Sequence, residues 1–443
     1  MDAGKSGNIR VLMFPWLAHG HISPFLELAK KLSKRNFQIY LCSTPVNLHP
    51  LKEKLARLNF PLIQLVDLHL PPLPDLPPHY QTTKGLPHHL LGTLENALDM
   101  ASPTFANIFT RINPDLLICD IFQPWATSLA VSLNIPTVHF VTFGAISNPV
   151  ELKGFKKTGV ALPNISGGSD DQNGSESLSL RDRIVQCLKQ SSDIMLIKSF
   201  REIEAKYIDN LSILTKKKIV PVGPLVQEPG EEDERAEITE WLNKKDPSSV
   251  VYVSFGTEYY LSKEEREELA HGLLLSQVSF IWVLRFPHGE KINVKDALPE
   301  GFAEMVGEGG LIVEDWAPQK KILEHACIGG FVSHCGWGSV IESMRFGVPI
   351  IGMPMLYDQP LNAKLVGEVG VGLEIKRGKN NRKIEREEVA RVIKQVLVEK
   401  GGENVRRRAR ELSECILGKK DREVDQVADE LVKLCGINHS QVW

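Results

Sequence analysis

The sequence predicts an α/β protein built from two successive parallel sheets, and three observations carry that reading. Short apolar runs alternate with amphipathic helical stretches, the rhythm of βαβ units. That rhythm breaks once, at VGPLVQEPGEEDER (Val222 to Arg235), where Pro, Gly and an acidic run meet, and then restarts. The chain has 443 residues, room for two domains at roughly 100 to 200 residues each.

The first element is IRVLMF (Ile9 to Phe14), a continuous apolar run of the kind a buried parallel strand needs. A Pro- and Gly-containing loop, PWLAHGHISP, follows it. Ser23 and Pro24 then read as N-cap and first helical residue, because Phe25, Leu28, Ala29 and Leu32 repeat at i, i+3, i+4 and i+7. FQIYLCS (Phe37 to Ser43) is the next strand, and strand, helix, strand at this spacing implies parallel pairing. DLLICD (Asp115 to Asp120), IPTVHFVT (Ile135 to Thr142) and IMLIKSF (Ile194 to Phe200) continue the pattern. NISGGSDDQNGSES (Asn164 to Ser177), rich in Asn, Gly, Ser and Asp, reads as a mobile surface loop.

Past the break, read as a solvated linker, VVYVSF (Val250 to Phe255) is a strand. Ser262 and Glu265 are spaced as a capping box opening a helix to Leu275. FIWVL, LIVE, GGFVSH and VPIIGM are the following strands, with helices at Ser339 to Phe346, Ile384 to Leu397 and Val424 to Cys435. No repeat of solenoid length is present. In open α/β sheets ligands bind beyond the carboxyl ends of the strands, so the search for chemistry starts there.

Composition narrows the class. Hydrophobic residues make up 42% and charged residues 24%, which excludes global disorder. Lys plus Arg number 52 against 55 for Asp plus Glu, a net charge of −3, so no electrostatic footprint for nucleic acid or anionic lipid is present. The seven cysteines are scattered without a C-x-x-C pair, which argues against a disulfide framework or a structural zinc site. MDAGKSGN lacks the apolar stretch of a signal peptide, and no apolar run reaches the roughly 18 residues of a membrane span. A cytoplasmic protein without metal, nucleic acid or membrane partners is the expectation.

Two histidine-bearing strand ends carry the chemistry. His21 lies in the loop leaving the first strand, and Asp120 ends the strand DLLICD. Alone, the first is a helix-start residue without a task and the second a turn cap. Together, a carboxylate on one imidazole nitrogen fixes the tautomer and raises the basicity of the other, which makes a general base. No G-x-S-x-G nucleophile accompanies them, so the pair suits deprotonation of a substrate's own hydroxyl. The second is GGFVSHCGWGSVIES (Gly329 to Ser343): strand, glycine-rich turn, helix. Gly336 and Gly338 allow close backbone approach, the helix start at Ser339 suits a pyrophosphate, and His334 adds a donor. A plainer alternative is a capping box between Ser339 and Glu342. Neither G-x-G-x-x-G after the first strand nor G-x-x-x-x-G-K-[ST] occurs, so this is not a dinucleotide or P-loop site. D-x-D is also absent, which argues against a metal-bridged nucleotide-sugar.

WAPQKKILEHACIGGFVSHCGWGSVIESMRFGVPIIGMPMLYDQ (Trp316 to Gln359) resembles the 44-residue signature box of plant UDP-dependent glycosyltransferases of small molecules. PWLAHGHISP, DLLICD, VPVGPL and VYVSFGT also sit where that family places theirs. The resemblance implies the GT-B fold, two Rossmann-like domains whose parallel sheets face a cleft. Residues 1–222 would bind the acceptor, 223–245 would link, 246–423 would bind the UDP-sugar, and 424–443 would pack back on the N-terminal domain. It implies that Trp316 stacks on uracil, the Ala317 backbone bonds the base edge, and Gln319 and Glu342 lie near the ribose. Thr257, His334, Gly336, Gly338 and Ser339 would surround the diphosphate, while Trp337, Asp358 and Gln359 reach the sugar. Gln359 suggests UDP-glucose as donor. His21 matches the family's general base and Asp120 its orienting carboxylate. Two positions depart from the pattern: Gly338 stands where Asn is usual and Thr257 where Ser is usual.

MFPWLAHGHISPF, IYLCSTPVNL, LPPHY, VSFGTEYYLSKEE and HCGWGS further resemble the branch that extends a sugar already on a plant metabolite. Triterpenoid, diterpenoid, flavonoid or lignan glycosides would then be the acceptors, held by Tyr80, Thr82, Thr83, Gln123 and Phe143. The implied enzyme is monomeric, inverting and metal-independent, with no cofactor beyond the UDP-glucose co-substrate. Glucosylation of an aglycone and non-catalytic binding of a nucleotide-sugar remain as alternatives.

Overall fold

The structure, a computed structural model, describes residues 8–147, 180–227, 235–286, 293–378, 383–419 and 421–436. The chain divides into two compact units, Met1–Leu225 with Asp421–Trp443, and Val226–Lys420.

In the first unit a seven-stranded sheet runs in the order β3-β2-β1-β4-β5-β6-β7, every neighbouring pair parallel. The strands are β1 (Arg10–Phe14), β2 (Gln38–Ser43), β3 (Ile63–Asp67), β4 (Leu116–Cys119), β5 (Thr137–Val141), β6 (Ile194–Ile197) and β7 (Lys218–Pro221). β4, β5 and β6 are buried along their whole length; the unbroken apolar sequences of β4 and β6 are those of strands covered on both faces, while β5 also buries Thr137 and His139. The order reverses at β1, which has β2 on one side and β4 on the other. Phe14 pairs with Cys119 in register, so the residues leaving the two strands emerge side by side.

The helix after β1 spans His19–Ser33, not from Pro24 as the sequence suggests. Ala18 is its N-cap, and its carbonyl accepts from the His21 and Ile22 amides at 3.0 and 2.9 Å. Pro24 therefore sits inside the helix, and His21 belongs to its first turn instead of a loop. The early start is invisible locally because Ala18 caps without a side-chain hydrogen bond.

The helix Arg422–Leu434 packs in this unit. Val424, Val427, Ala428, Leu431 and Val432 share a core cluster with Val11, Phe25, Leu28 and Leu32. Lys31 donates to Asp421 at 2.6 Å, and Arg35 pairs with Asp425, partners 390 residues apart in sequence.

The second unit holds a six-stranded parallel sheet, β10-β9-β8-β11-β12-β13. Its strands are β8 (Val250–Ser254), β9 (Ser279–Leu284), β10 (Gly310–Glu314), β11 (Ile328–Ser333), β12 (Ile350–Gly352) and β13 (Gly372–Glu374). Here the order reverses between β8 and β11, with Ser254 opposite Ser333. The Ser262–Glu265 capping box forms in both directions and opens the helix Lys263–Ser276. The linker expected at 223–245 is too wide: Ala236–Leu242 is a helix whose Ile238 and Leu242 lie in the core of this unit. The loop expected at Asn164 to Ser177 lies outside the described residues. Among the described residues no helix is long and apolar enough to cross a membrane.

Candidate active site

Each sheet places one group of polar residues at its point of reversal, where open α/β sheets leave a crevice at the strand ends. In the first unit, the helix after β1 brings in His21 and the end of β4 brings in Asp120. His21 Nδ1 lies 2.6 Å from Asp120 Oδ2. The Asp120 side chain is 1% exposed and His21 19%, so the carboxylate is sheltered and the imidazole is still reachable. Asp120 Oδ1 accepts from the Ile121 amide at 2.8 Å and Oδ2 from the Trp16 amide at 3.4 Å. A carboxylate only accepts, so Nδ1 carries the proton and the lone pair of the ring resides on Nε2.

Two neighbours of this pair carry no signal in the local sequence. Thr142, the residue after β5, places Oγ1 3.0 Å from His21 Nδ1. Phe122 packs its ring 5.6 Å from the imidazole, centroid to centroid. His139, fully buried on β5, braces the Asp120 carbonyl through Nδ1 at 3.1 Å and faces the Cys187 carbonyl through Nε2 at 3.1 Å. Burial lowers its pKa. Thr142 and His139 could be flagged only by knowing that β5 lies beside β4.

The residues expected around the acceptor separate into different environments. Thr82 is buried, and its hydroxyl donates to the Leu17 carbonyl at 3.3 Å. Thr83 bonds the same carbonyl through its amide at 2.9 Å. Both therefore tie the segment after Tyr80 to the loop after β1. Tyr80 packs against the core cluster that contains Phe14 and Leu17. Gln123 is fully buried with neither side-chain polar atom bonded to protein, and Phe143 is half-buried.

In the second unit, the Trp337–Phe346 helix follows β11, with Gly336 as N-cap. Ser339 is thus in the first turn, and the capping box with Glu342 does not form. Instead Gln319 donates to Glu342 Oε2 at 2.6 Å and to Ser339 Oγ at 3.2 Å, while Tyr252 donates to Gln319 Oε1 at 3.3 Å. The first intrahelical bond runs from the Val340 amide to the Gly336 carbonyl, so the amides of Trp337, Gly338 and Ser339 lead the helix at its positive end. Trp337 opens the helix with its side chain buried.

His334 is wedged between two glycine backbones. A Cβ on Gly336 would lie 2.5 Å from His334 Nε2, and one on Gly256 would lie 2.6 Å from it. Gly256 also has φ +70, which a side chain rarely adopts, so both positions require glycine. At Gly338 nothing lies within 4 Å of a built Cβ. His334 Nδ1 is buried without a partner, and burial lowers the pKa to about 4, so the ring is neutral at pH 7. The unfolded chain protonates this histidine near its ordinary value of about 6.5 while the fold resists. Stability is then lost as pH falls from about 6.5 to 4, by up to about 1.4 kcal/mol per unit. Urea midpoints across that window should fall less steeply for His334→Gln than for the wild type.

Thr257 is exposed in the turn after β8 and follows Gly256, which lies against the His334 ring. Trp316 is 47% exposed, and its carbonyl accepts from Arg235 at 2.8 Å, while Ala317 is buried. Arg285 donates to the Gly256 carbonyl at 2.7 Å and so props the turn from behind. Gln359 is buried, with Oε1 accepting from the Met355 and Leu356 amides at 2.9 and 2.8 Å. Asp358 caps the same helix, and its Oδ2 accepts from Asn362 at 2.9 Å. Tyr252, Arg235 and Arg285 are residues that sequence reasoning passed over, since each acts only through a distant partner; Asn362 was passed over too, though one of its two partners, Asp358, is nearby.

Residues 177–414 match the family described as UDP-glucoronosyl and UDP-glucosyl transferase, and residues 7–227 match the glycosyltransferase N-terminal domain. The chain is 51% identical to UDP-glucosyltransferase 29 of Panax ginseng, over 97% of this chain and 98% of that one. It is 48% identical to the beta-D-glucosyl crocetin beta-1,6-glucosyltransferase of Gardenia jasminoides, over 95% and 98%. Among solved structures, UGT73P12 of Glycyrrhiza uralensis, complexed with glycyrrhetinic acid 3-O-monoglucuronide, superposes with a TM-score of 0.84 at 22% identity, covering 96% of each chain. That likeness shows the fold, which is GT-B. The protein therefore belongs to the UDP-glucoronosyl and UDP-glucosyl transferase family and is a UDP-dependent glycosyltransferase.

Proposed function

We propose that the chain transfers glucose from UDP-glucose to a hydroxyl of a glycosylated plant metabolite, inverting the anomeric centre and lengthening the sugar chain by a β-linkage. The observation that carries the mechanism is the 2.6 Å contact between His21 Nδ1 and buried Asp120. His21 Nε2 takes the proton of the acceptor hydroxyl as the oxygen forms its bond to the anomeric carbon. The bond from that carbon to the diphosphate oxygen breaks, and UDP leaves with the electron pair. The amides at the start of the Trp337–Phe346 helix, with Thr257, His334 and Ser339, meet the phosphate charge, so no metal is required. Trp316 would stack on uracil, Ala317 bond its edge, and the Gln319–Glu342 pair accept from the ribose hydroxyls. Because its oxygen is already engaged, Gln359 would face the glucose hydroxyls as a donor through Nε2.

The glycoside acceptor is supported by relatives of the Gardenia kind, whose name specifies a glucosylated substrate and a β-1,6 product. Triterpenoid, diterpenoid, flavonoid and lignan glycosides are the classes in view, with Tyr80, Gln123 and Phe143 on the acceptor side. A monomer acting in the cytoplasm is the accompanying reading. The cytoplasm is supported by seven cysteines outside any disulfide.

The test is incubation with UDP-glucose and EDTA alongside paired aglycones and glucosides, with products read by mass spectrometry. One hexose added to the glucosides alone is expected. Hexose on the aglycones would overturn the acceptor class and keep the mechanism, while loss of transfer in EDTA would overturn metal independence. A second variant tests the donor side. Gly338→Asn has open space at the diphosphate end of the helix. A hydrogen bond to a charged group is worth about 1.5–3 kcal/mol, so the variant should bind UDP about tenfold tighter by calorimetry.

A further inference from the structure

Asn362 lies in the first turn of the Gln359–Val369 helix and is fully buried. Its Nδ2 donates in two directions, to Asp358 Oδ2 at 2.9 Å and to the Cys335 carbonyl at 3.0 Å. Cys335 has φ +63, a left-handed conformation that costs a residue with a Cβ about 1–2 kcal/mol and persists only when neighbours hold it. The Ser333 hydroxyl accepts the Cys335 amide at 3.1 Å, and Asn362 holds the carbonyl. The Cys335 carbonyl belongs to the peptide that joins it to Gly336, the N-cap of the helix assigned to the diphosphate. One side-chain amide therefore grips both the carboxylate assigned to the donor sugar and the peptide that aims the diphosphate helix.

We infer that Asn362 is a positioning residue for the donor, locking the rotamer of Asp358 to the Cys335–Gly336 turn so that sugar and diphosphate are held in one register. This rests on the reading that Asp358 meets the glucose. Asn362 itself touches no substrate. Aspartate, its isostere, lacks the amide donor and would set two carboxylates against each other.

The quantity to measure is the gain in affinity that the glucose brings, the ratio of the UDP dissociation constant to that of UDP-glucose, by calorimetry without acceptor. Asn362→Ala and Asn362→Asp should each lower this ratio about fivefold or more at pH 7.5, beyond any loss shared with UDP, on the scale of a buried bond to a charged group. In Asn362→Asp the ratio should recover toward pH 5.5 as the carboxylate pair takes up a shared proton, while Asn362→Ala should stay flat. The isosteric variant serves if the alanine variant does not fold. Equal weakening of UDP and UDP-glucose in both variants would overturn the proposal, leaving Asn362 as support for the fold alone. Asp358→Ala separates the two failures. If it lowers the ratio and the Asn362 variants do not, the donor reading stands and this inference falls. If it leaves the ratio unchanged, glucose does not rest on Asp358 and both fall.

Discussion

His21→Ala should turn over its acceptor about 10²- to 10⁴-fold more slowly than the wild type, the usual contribution of a positioned general base, while binding UDP with unchanged affinity. The separation follows from the structure. His21 reaches Asp120 and Thr142, all in the first unit, whereas the groups assigned to UDP are all in the second. Asp120→Asn makes the complementary case. The amide can donate to Nδ1, which favours the wrong tautomer and points a proton at the acceptor instead of a lone pair. It should lose a comparable factor in kcat with a small change in KM. Single-turnover rates with saturating UDP-glucose check both variants. Wild-type turnover in His21→Ala would remove the base assignment, and with it the reason for the buried carboxylate.

Gly336→Ala and Gly256→Ala should each weaken UDP binding by tenfold or more. Each Cβ would fall within 2.6 Å of His334 Nε2, a contact that forces the ring or the backbone to move. Overpacking of this kind costs about 1–3 kcal/mol, and about 1.4 kcal/mol is tenfold in affinity. Gly256→Ala adds the left-handed penalty of about 1–2 kcal/mol, so it should be the worse of the two, with a lower melting temperature as well. Gly338→Ala is the control: its Cβ enters open space, and a helical alanine is more favourable than a glycine by about 1 kcal/mol. It should bind UDP within about threefold of the wild type, roughly 0.7 kcal/mol. If all three alanines behaved alike, the wedge around His334 would not be what shapes this turn.

The strands at the centre of both sheets were legible because burial on two faces demands continuous apolar sequence. Ile9 to Phe14 and Val250 to Phe255 announce themselves for that reason. Edge strands announce themselves less: β7 begins with an exposed lysine, and β13 has three residues, of which only the first is buried. Helix starts were misplaced where the cap is backbone alone. The His19–Ser33 and Trp337–Phe346 helices both begin two or more residues before the side-chain signals at Ser23 and Ser339. The Lys263–Ser276 helix, capped by Ser262, begins where its sequence says.

The sequence by itself determined the alternation of strand and helix, the break into two sheets, the glycine before the helix at Trp337, and the presence of a histidine and an aspartate beyond strand ends. These follow from local periodicity and local backbone need. Tertiary structure decided which of those ends meet. His21 and Asp120 are 99 residues apart and touch because β1 takes β4 as its neighbour. Gln319 displaces the apparent capping box because its helix packs beside that of Glu342. Thr142 and Asn362 acquire their contacts in the same way, from β5 lying beside β4 and from the Gln359–Val369 helix reaching back to Cys335. Strand order is set by long-range burial and crossover geometry, which no window of neighbouring residues encodes.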